Sequence, residues 1–290
     1  MSVQMQVQKV KGGRKWVWIL AAAFLFSQAG CAGGNSKKTE ETEIQVFIAA
    51  SLHTSMTELS EMYKKEHPEV KITFNADSSG TLLAQIEEGY ACDIFFSAAQ
   101  RQMDKLEKDG FLKTGTLADV VNNQVVLVTR KDSTTSVKGL ETLKYAESIA
   151  LAGRSVPVGR YTRQALISSG ILAKTGEAAD ITTREISEAL GNAQISEQDN
   201  VSKVLTAVLE GSCEVGTTYY SDIYGYEDEL NILETVSYDL TGDVTYPVAR
   251  VRNEEADKAQ NDAADDFLEF ILSKEAKEVF ESYYFDTDVE

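Results

Sequence analysis

The chain has 290 residues, 43% of them hydrophobic, and its 46 acidic and 28 basic residues give a formal charge of −18. This length is sufficient for one large or two medium domains, each with a hydrophobic core. The acidic charge excludes nucleic acid as a natural partner, because neutralising phosphates requires clustered Lys and Arg. It also opposes long-range attraction of an anion, so we expect any bound anion to be held by local dipoles.

The N-terminus predicts an export signal. Four basic residues between positions 9 and 15 precede an apolar run at 16–26, which is followed by small residues and Cys31. A basic segment, an apolar core and a small-residue junction are typical of a signal peptide. The apolar run is shorter than the roughly 20 residues that a membrane-spanning helix needs. Residues 1–31 are therefore predicted to be a signal peptide.

The end of this segment, Ala-Gly-Cys at 29–31, resembles a bacterial lipobox, in which the cysteine is lipidated and becomes the first residue. We therefore expect Cys31 to be lipidated, although Gln28 stands where the pattern prefers Leu; ordinary secretion is the alternative. Residues 32–43 are polar and predict a flexible tether. Removing residues 1–31 takes away four of the 28 basic residues and no acidic one. The mature chain then has 24 basic against 46 acidic residues, a charge of −22.

From residue 44 onward, strand-like and helix-like segments alternate. The predicted strands are 44–50, 70–76, 92–98, 124–130, 148–152, 214–220 and 244–251. The predicted helices are 52–66, 80–88, 100–109, 160–169, 200–210 and 262–283. Alternation with near-continuous apolar strands predicts parallel sheets covered on both faces by helices. In such folds, ligands lie at the carboxyl ends of strands, near helix N-termini.

Two consecutive strand-to-helix junctions carry serine hydroxyls. Ser51 opens the first predicted helix, and Ser78, Ser79 and Gly80 stand in the same place after the second strand. A hydroxyl beside the free N–H groups and the positive dipole end of a helix can hold an anion. A serine N-cap is also an ordinary way to begin a helix. Each junction alone therefore leaves both interpretations open.

Three later segments offer further neutral donors. In 155–166, Pro157 and Gly159 shape a loop before a helix whose first N–H groups would be free. In 199–211, Asp199 or Asn200 can cap a helix, leaving the next residue to offer its backbone N–H. A third segment, 215–223, ends a strand in paired tyrosines, whose phenols can donate a hydrogen bond, although such pairs are more often packing.

Several side chains near these segments allow more than one interpretation. Arg154, Arg160 and Arg163 could pair with an anion, but on so acidic a chain we favour solvated surface charges. For Cys92 and Cys213 we favour buried free thiols, and an inter-domain disulfide is the alternative. No Cys or His spacing is typical of a zinc site.

Catalysis finds little support in the sequence. The chain contains only two histidines, and neither a GxSxG elbow, a P-loop nor an HExxH motif. General acid and base chemistry by histidine therefore has few possible locations. We predict that the chain is not an enzyme, requires no cofactor and provides no direct protein ligand to a metal ion.

Five segments in succession resemble bacterial molybdate-binding proteins, the extracytoplasmic receptors of molybdate ABC importers. They are AASLHTSMTEL, SSGTLLAQIEEGYACDIFFSA with QMDKL, VPVG-Y, GTTYYSD and YPVARV. The resemblance covers about residues 44–285. It implies an α/β type II periplasmic-binding-protein fold, in which a two-strand hinge joins two lobes that enclose an oxyanion in their cleft. The first lobe would comprise 44–123 and 246–290, and the second 124–245.

The resemblance also implies a set of neutral donors around a tetrahedral dianion. By motif position these are the hydroxyl and N–H groups of Ser51 and Ser79, the N–H groups of Val158 and Val201, and the hydroxyl of Tyr219. A site of donors without acceptors suits a fully ionised oxyanion and rejects protonated ones.

The implied function is capture of molybdate, and of the nearly isosteric tungstate, for delivery to the permease of an ABC importer. We expect a monomer at the outer face of the cell membrane, held by its lipid anchor, or in the periplasm. The alternatives are a tungstate-dedicated or sulfate-binding protein, or a sensory lipoprotein with the same fold. His53 replaces a usual Thr beside the site and could add a donor or pH sensitivity.

Overall fold

The computed structural model describes residues 41–173 and 176–289. The predicted signal peptide and its Cys31 lie outside the described residues. No helix in the described ranges is both long and apolar enough to cross a bilayer.

Cys92 and Cys213 are buried and unpaired, which confirms the favoured interpretation of free thiols.

Ten strands in the described ranges form two five-stranded sheets. The first sheet contains β1 (Thr42–Ala49), β2 (Val70–Asp77), β3 (Ile94–Phe96), β4 (Ala118–Asn122) and β10 (Thr245–Arg250), in the order β2-β1-β3-β10-β4. The second contains β5 (Val125–Arg130), β6 (Ile149–Ala152), β7 (Ile195–Gln198), β8 (Val215–Tyr219) and β9 (Leu230–Thr235), in the order β7-β6-β8-β5-β9.

Both sheets are mixed, so the prediction of parallel sheets was wrong in one respect. Three strands of each sheet are parallel, β2, β1 and β3 in the first and β7, β6 and β8 in the second. By contrast, β10 and β5 are antiparallel to their neighbours. The chain enters these two strands from the other sheet, so no crossover helix within one sheet forces them to be parallel.

Nine α-helices cover the sheets in the described ranges. They are α1 (His53–Glu66), α2 (Ser79–Glu87), α3 (Gln100–Lys108), α4 (Pro157–Ser168), α5 (Thr183–Ala189), α6 (Val201–Leu209), α7 (Tyr238–Thr241), α8 (Lys258–Ile271) and α9 (Lys274–Ser282). Helices α1, α2, α3, α8 and α9 pack on the first sheet and form the first lobe with it; α4 to α7 and the second sheet form the second lobe.

The predicted helix 262–283 is two helices. Ser273 separates them, because its hydroxyl accepts a hydrogen bond from the backbone N–H of Ala276 and begins α9. Five elements were not predicted, namely β4, β7, β9, α5 and α7. Each has seven residues or fewer, too short for hydrophobic periodicity to identify.

Strand β1 shows how packing positions the site. Val46 and Ile48 face the core beneath α1, while Phe47 faces a second cluster with Leu82 of α2 and Met103 of α3. Burial on both faces explains why this strand is apolar almost throughout. Because β1 and β2 are parallel, their carboxyl ends and the helical turns that follow lie at one edge of the sheet.

Candidate functional site

A small cavity between the two lobes is lined by all five predicted donor residues. Its volume is about 10 Å³. Its wall consists of Ala49, Ala50, Ser51, Asp77, Ser78, Ser79, Ala98, Val156, Pro157, Val158, Val201 and Tyr219. None of these described residues is Lys, Arg or His, so a ligand here would meet neutral donors.

The start of α2 presents Ser79 to this cavity. The N-cap Ser78 accepts a hydrogen bond from the N–H of Thr81 at 3.1 Å, which leaves the N–H groups of Ser79 and Gly80 without acceptors in the helix. The Ser79 side chain is fully buried, and its Oγ accepts from the N–H of Ala98 at 2.9 Å. Since that bond uses the oxygen as acceptor, the hydroxyl hydrogen remains available to a ligand.

Two further helices begin at the cavity. Helix α4 starts at Pro157 rather than at residue 160, so Val158 is its second residue instead of part of a preceding loop. Proline suits the first position because its missing N–H would have no partner there. Val201 is the first residue of α6, whose N-cap Asn200 accepts from the N–H of Lys203 at 3.0 Å. The N–H groups of Val158 and Val201 therefore have no acceptor within their helices.

Ser51 does not cap a helix, contrary to the interpretation from sequence. A 3-10 turn, Ala50–Leu52, separates β1 from α1, and Ser51 lies inside it. Its Oγ is instead 2.9 Å from the Oη of Tyr246, which accepts from the Nδ2 of Asn123 at 3.2 Å. If Tyr246 donates its hydrogen to Ser51, the hydrogen of Ser51 is free for a ligand.

Tyr219 contributes a buried hydroxyl with no partner. The residue ends β8 and is 1% exposed, and its Oη makes no hydrogen bond to any described residue. Burial, with a smaller effect of the neighbouring Tyr246, raises the pKa of the Tyr219 phenol well above its ordinary value, so it stays a neutral donor. An unsatisfied buried hydroxyl is costly. A ligand acceptor in the cavity would satisfy it.

Sequence reasoning missed several residues of this site. Asp77 lines the cavity, and its Oδ1 accepts from the N–H of Ser78 at 2.7 Å and from the Nδ2 of Asn200 at 3.1 Å. Its position directly before the two serines could have indicated that Asp77 belongs to the site. No local sequence signal indicated that Tyr246 and Asn123 contribute, because their contacts join distant parts of the chain.

The predicted surface role was wrong for Arg163. Its guanidinium is fully buried and donates to the carbonyl oxygens of Ala152, Gly159 and Ile181 at 2.8 to 2.9 Å. Burial lowers the pKa of Arg163 to about 10, so the side chain remains charged at neutral pH. It holds the end of β6 against the first turn of α4 and so positions the backbone around Val158.

His53 lies outside the cavity. It is exposed on α1 and lines a neighbouring cleft of about 220 Å³ with Ser51 and Tyr226. Of the five predicted donors, only Ser51 also lines this cleft, so the structure does not bring His53 to the cavity where all five meet.

A profile described as "Bacterial extracellular solute-binding protein" matches residues 44–286, which carry both lobes. The chain belongs to this family. Its members are binding components of transport rather than enzymes, in agreement with the absence of catalytic motifs. The two-lobed α/β architecture with its interlobe cleft is the type II periplasmic-binding-protein fold expected from the sequence.

Curated and structural relatives span nearly the whole chain. It is 29% identical over 272 residues to the "putative ABC transporter substrate-binding lipoprotein YvgL" of Bacillus subtilis, covering 93% of this chain and 96% of that one. It is 29% identical over 280 residues to the molybdate-binding protein ModA of Escherichia coli, and this match covers 94% of this chain and 98% of ModA. Among solved structures, one similar chain is the "substrate binding domain of putative molybdenum ABC transporter from Clostridium difficile", with a TM-score of 0.60 and 32% identity. The superposition covers 86% of this chain and 99% of that one.

Proposed function

We propose that this protein captures molybdate outside the cell membrane and delivers it to an ABC importer, and that tungstate binds in the same way. The observation that carries this proposal is the unpartnered, buried hydroxyl of Tyr219 on the wall of a cavity without cationic side chains. Ser51, Ser79, Val158 and Val201 complete the proposed set of donors, which comes from both lobes.

The donor chemistry suits a fully ionised tetrahedral oxyanion. Molybdate has no proton to donate at neutral pH, so hydroxyl and N–H groups can satisfy all its oxygens. Helix N-termini add the positive ends of the dipoles of α2, α4 and α6. The one carboxylate on the wall, Asp77, already accepts two hydrogen bonds from the protein. Neutral donors also avoid a strong ion pair, which favours release to a transporter.

The cavity is too small for a drug-sized ligand. Pockets for such molecules have volumes of about 300–1,000 Å³, whereas this cavity has about 10 Å³, so even an oxyanion requires the lobes to move apart as it binds. Closure of two lobes around the oxyanion would give the permease a shape to recognise. The names of the ModA relatives and of the Clostridium difficile domain support molybdate as the ligand.

Calorimetric titration of the purified protein tests the ligand. We expect tight one-to-one binding of molybdate and tungstate and little heat with sulfate or phosphate. An absence of heat with both metal oxyanions would contradict the proposal. Tight binding of sulfate with weak binding of molybdate would instead establish the alternative of a sulfate-binding protein.

A lipid anchor at Cys31 would hold the protein at the outer face of the membrane, and the name of YvgL supports this arrangement. In cells that express the full chain, Cys31→Ser should move the protein from the membrane fraction to the soluble fraction. Incorporation of labelled palmitate should be lost in parallel. Equal labelling of both proteins would exclude Cys31 as the lipidated residue.

A further inference from the structure

A groove outside the oxyanion cavity brings together basic side chains from both lobes. Arg101 and Lys105 belong to α3 of the first lobe, and Arg154 and Arg160 lie before and within α4 of the second. The groove has a volume of about 350 Å³. Its other lining residues are Gly80, Leu83, Gln102, Ser155, Pro157 and Ala179. None of the described lining residues is Asp or Glu.

This groove, which we call the basic groove, adjoins the oxyanion cavity. Pro157 lines both. Gly80 and Ser155 of the groove are the chain neighbours of Ser79 and Val156 on the cavity wall. The groove therefore leads to the first turns of α2 and α4, where the proposed donors lie.

Three of the four basic side chains have no acidic partner. Arg101, Arg154 and Arg160 form no ion pair with a carboxylate in the described parts of the chain. Arg154 donates only to the carbonyl oxygen of Asp180, at 3.4 Å. Lys105, by contrast, forms ion pairs with Glu87 and Asp109.

The charges of these arginines stand out against the rest of the molecule. The chain has 46 acidic and 28 basic residues, and nine of the 21 Lys and Arg residues in the described ranges form an ion pair with a carboxylate. Several exposed ones pair with an acidic residue four positions away, as Lys258 does with Asp262 and Lys274 with Glu278. Three unpaired arginines around one groove therefore concentrate positive charge at one place on an otherwise negative surface.

We propose that the basic groove is an entrance that attracts the oxyanion and speeds its association, without contacting the oxyanion once it is bound. This inference rests on the proposed function. The net charge of the protein repels a dianion, and a charged cleft with low-dielectric walls can offset that repulsion by focusing the local field. Such focusing raises association rates by about 10- to 1,000-fold and falls with ionic strength. Attraction of the anion is then a property of the groove and not of the net charge.

Stopped-flow measurement of tyrosine fluorescence with molybdate tests the groove. The groove variant carries Arg101→Gln, Arg154→Gln and Arg160→Gln. The control variant, Lys258→Gln, Lys274→Gln and Lys277→Gln, removes the same charge from exposed positions on α8 and α9. At low ionic strength, the groove variant should associate about tenfold more slowly than wild type, with an unchanged dissociation rate. The control variant should associate at nearly the wild-type rate.

Salt supplies a second readout. The Debye length falls from about 10 Å at 0.1 M to about 3 Å at 1 M ionic strength, so the difference between wild type and groove variant should disappear at high salt. An unchanged association rate in the groove variant, equal slowing in both variants, or a faster dissociation rate would overturn the inference while leaving the proposed function intact. Failure of the wild-type protein to bind molybdate would overturn both.

Discussion

The side-chain amide of Asn200 in the second lobe donates to the carboxylate of Asp77 in the first, with 3.1 Å between Nδ2 and Oδ1. The same Asn200 caps α6 through its Oδ1, and Asp77 accepts from the N–H of Ser78 before α2. This bond therefore ties together two helix starts on opposite walls of the oxyanion cavity.

Exchanging the two side chains should show that this bond holds the lobes closed. Asn200→Asp keeps the helix cap but places two carboxylates face to face, so molybdate affinity should fall. A hydrogen bond to a charged group contributes about 1.5–3 kcal/mol. Asp77→Asn combined with Asn200→Asp reverses donor and acceptor and should restore most of the affinity. Calorimetry measures affinity, and small-angle scattering measures closure; a double variant as weak as Asn200→Asp would contradict a closing role.

Tyr219→Phe should weaken ligand binding without destabilising the protein. The Tyr219 hydroxyl has no partner among the described residues, so its removal deletes no bond in the ligand-free state. Tyr246→Phe is the matched control, because that hydroxyl bonds to Ser51 and Asn123 and its loss should cost about 1 kcal/mol of unfolding free energy. Urea unfolding and calorimetry on both variants would separate the two effects. A large loss of stability in Tyr219→Phe would show that its hydroxyl has a partner within the protein.

Ser79→Ala should weaken molybdate binding by about 1–3 kcal/mol, because it removes a donor to a charged group and leaves the N–H of Ala98 unpaired. Ser273→Ala is a control of equal size. It deletes the cap of α9, which costs about 1 kcal/mol of stability, and should leave affinity unchanged. Equal affinities in wild type and Ser79→Ala would place the ligand elsewhere.

Gly80→Ala should impair closure while leaving the open protein stable. A Cβ atom at residue 80 would clash with the carbonyl oxygen of Ser155, across the cleft. Within α2 itself, alanine is favoured over glycine by up to about 1 kcal/mol. We expect an unchanged or higher melting temperature without ligand and a markedly lower molybdate affinity. Wild-type affinity would show that the two segments separate without cost.

The half-buried carboxyl of Asp222 predicts a pH dependence of stability. Burial raises its pKa to about 6, although Thr218 and the N–H of Tyr219 donate to it. Since the folded state favours the protonated form, its contribution is fully present below pH 3.8 and is lost as pH rises through 6. Asp222→Asn should remove this dependence. Urea unfolding between pH 4 and 7 should show wild type losing stability relative to the variant; parallel curves would contradict the raised pKa of Asp222.

Much of the site could be predicted because its parts are local. Ser78 before α2, the proline of α4 and the asparagine before α6 mark helix starts within a few residues of sequence, and the structure gathers those starts at one cavity. The error at Ser51 has a tertiary cause, since Tyr246 from β10 holds its hydroxyl. Arg163 was misassigned for a similar reason, because the carbonyl groups that bury it come from separate segments.

The sequence by itself determined the alternation of strands and helices, the family resemblance and the residue types suited to an oxyanion, because periodicity and capping act over one or two turns. Only the tertiary structure decided that β10 joins the first sheet, that Asn200 meets Asp77 across the cleft and that arginines from both lobes form one groove. The strand pairing joins distant parts of the chain within one lobe, and the last two relationships depend on lobe closure, which brings together residues more than 50 positions apart. A pattern within a short stretch of sequence cannot predict contacts between residues so far apart in the chain.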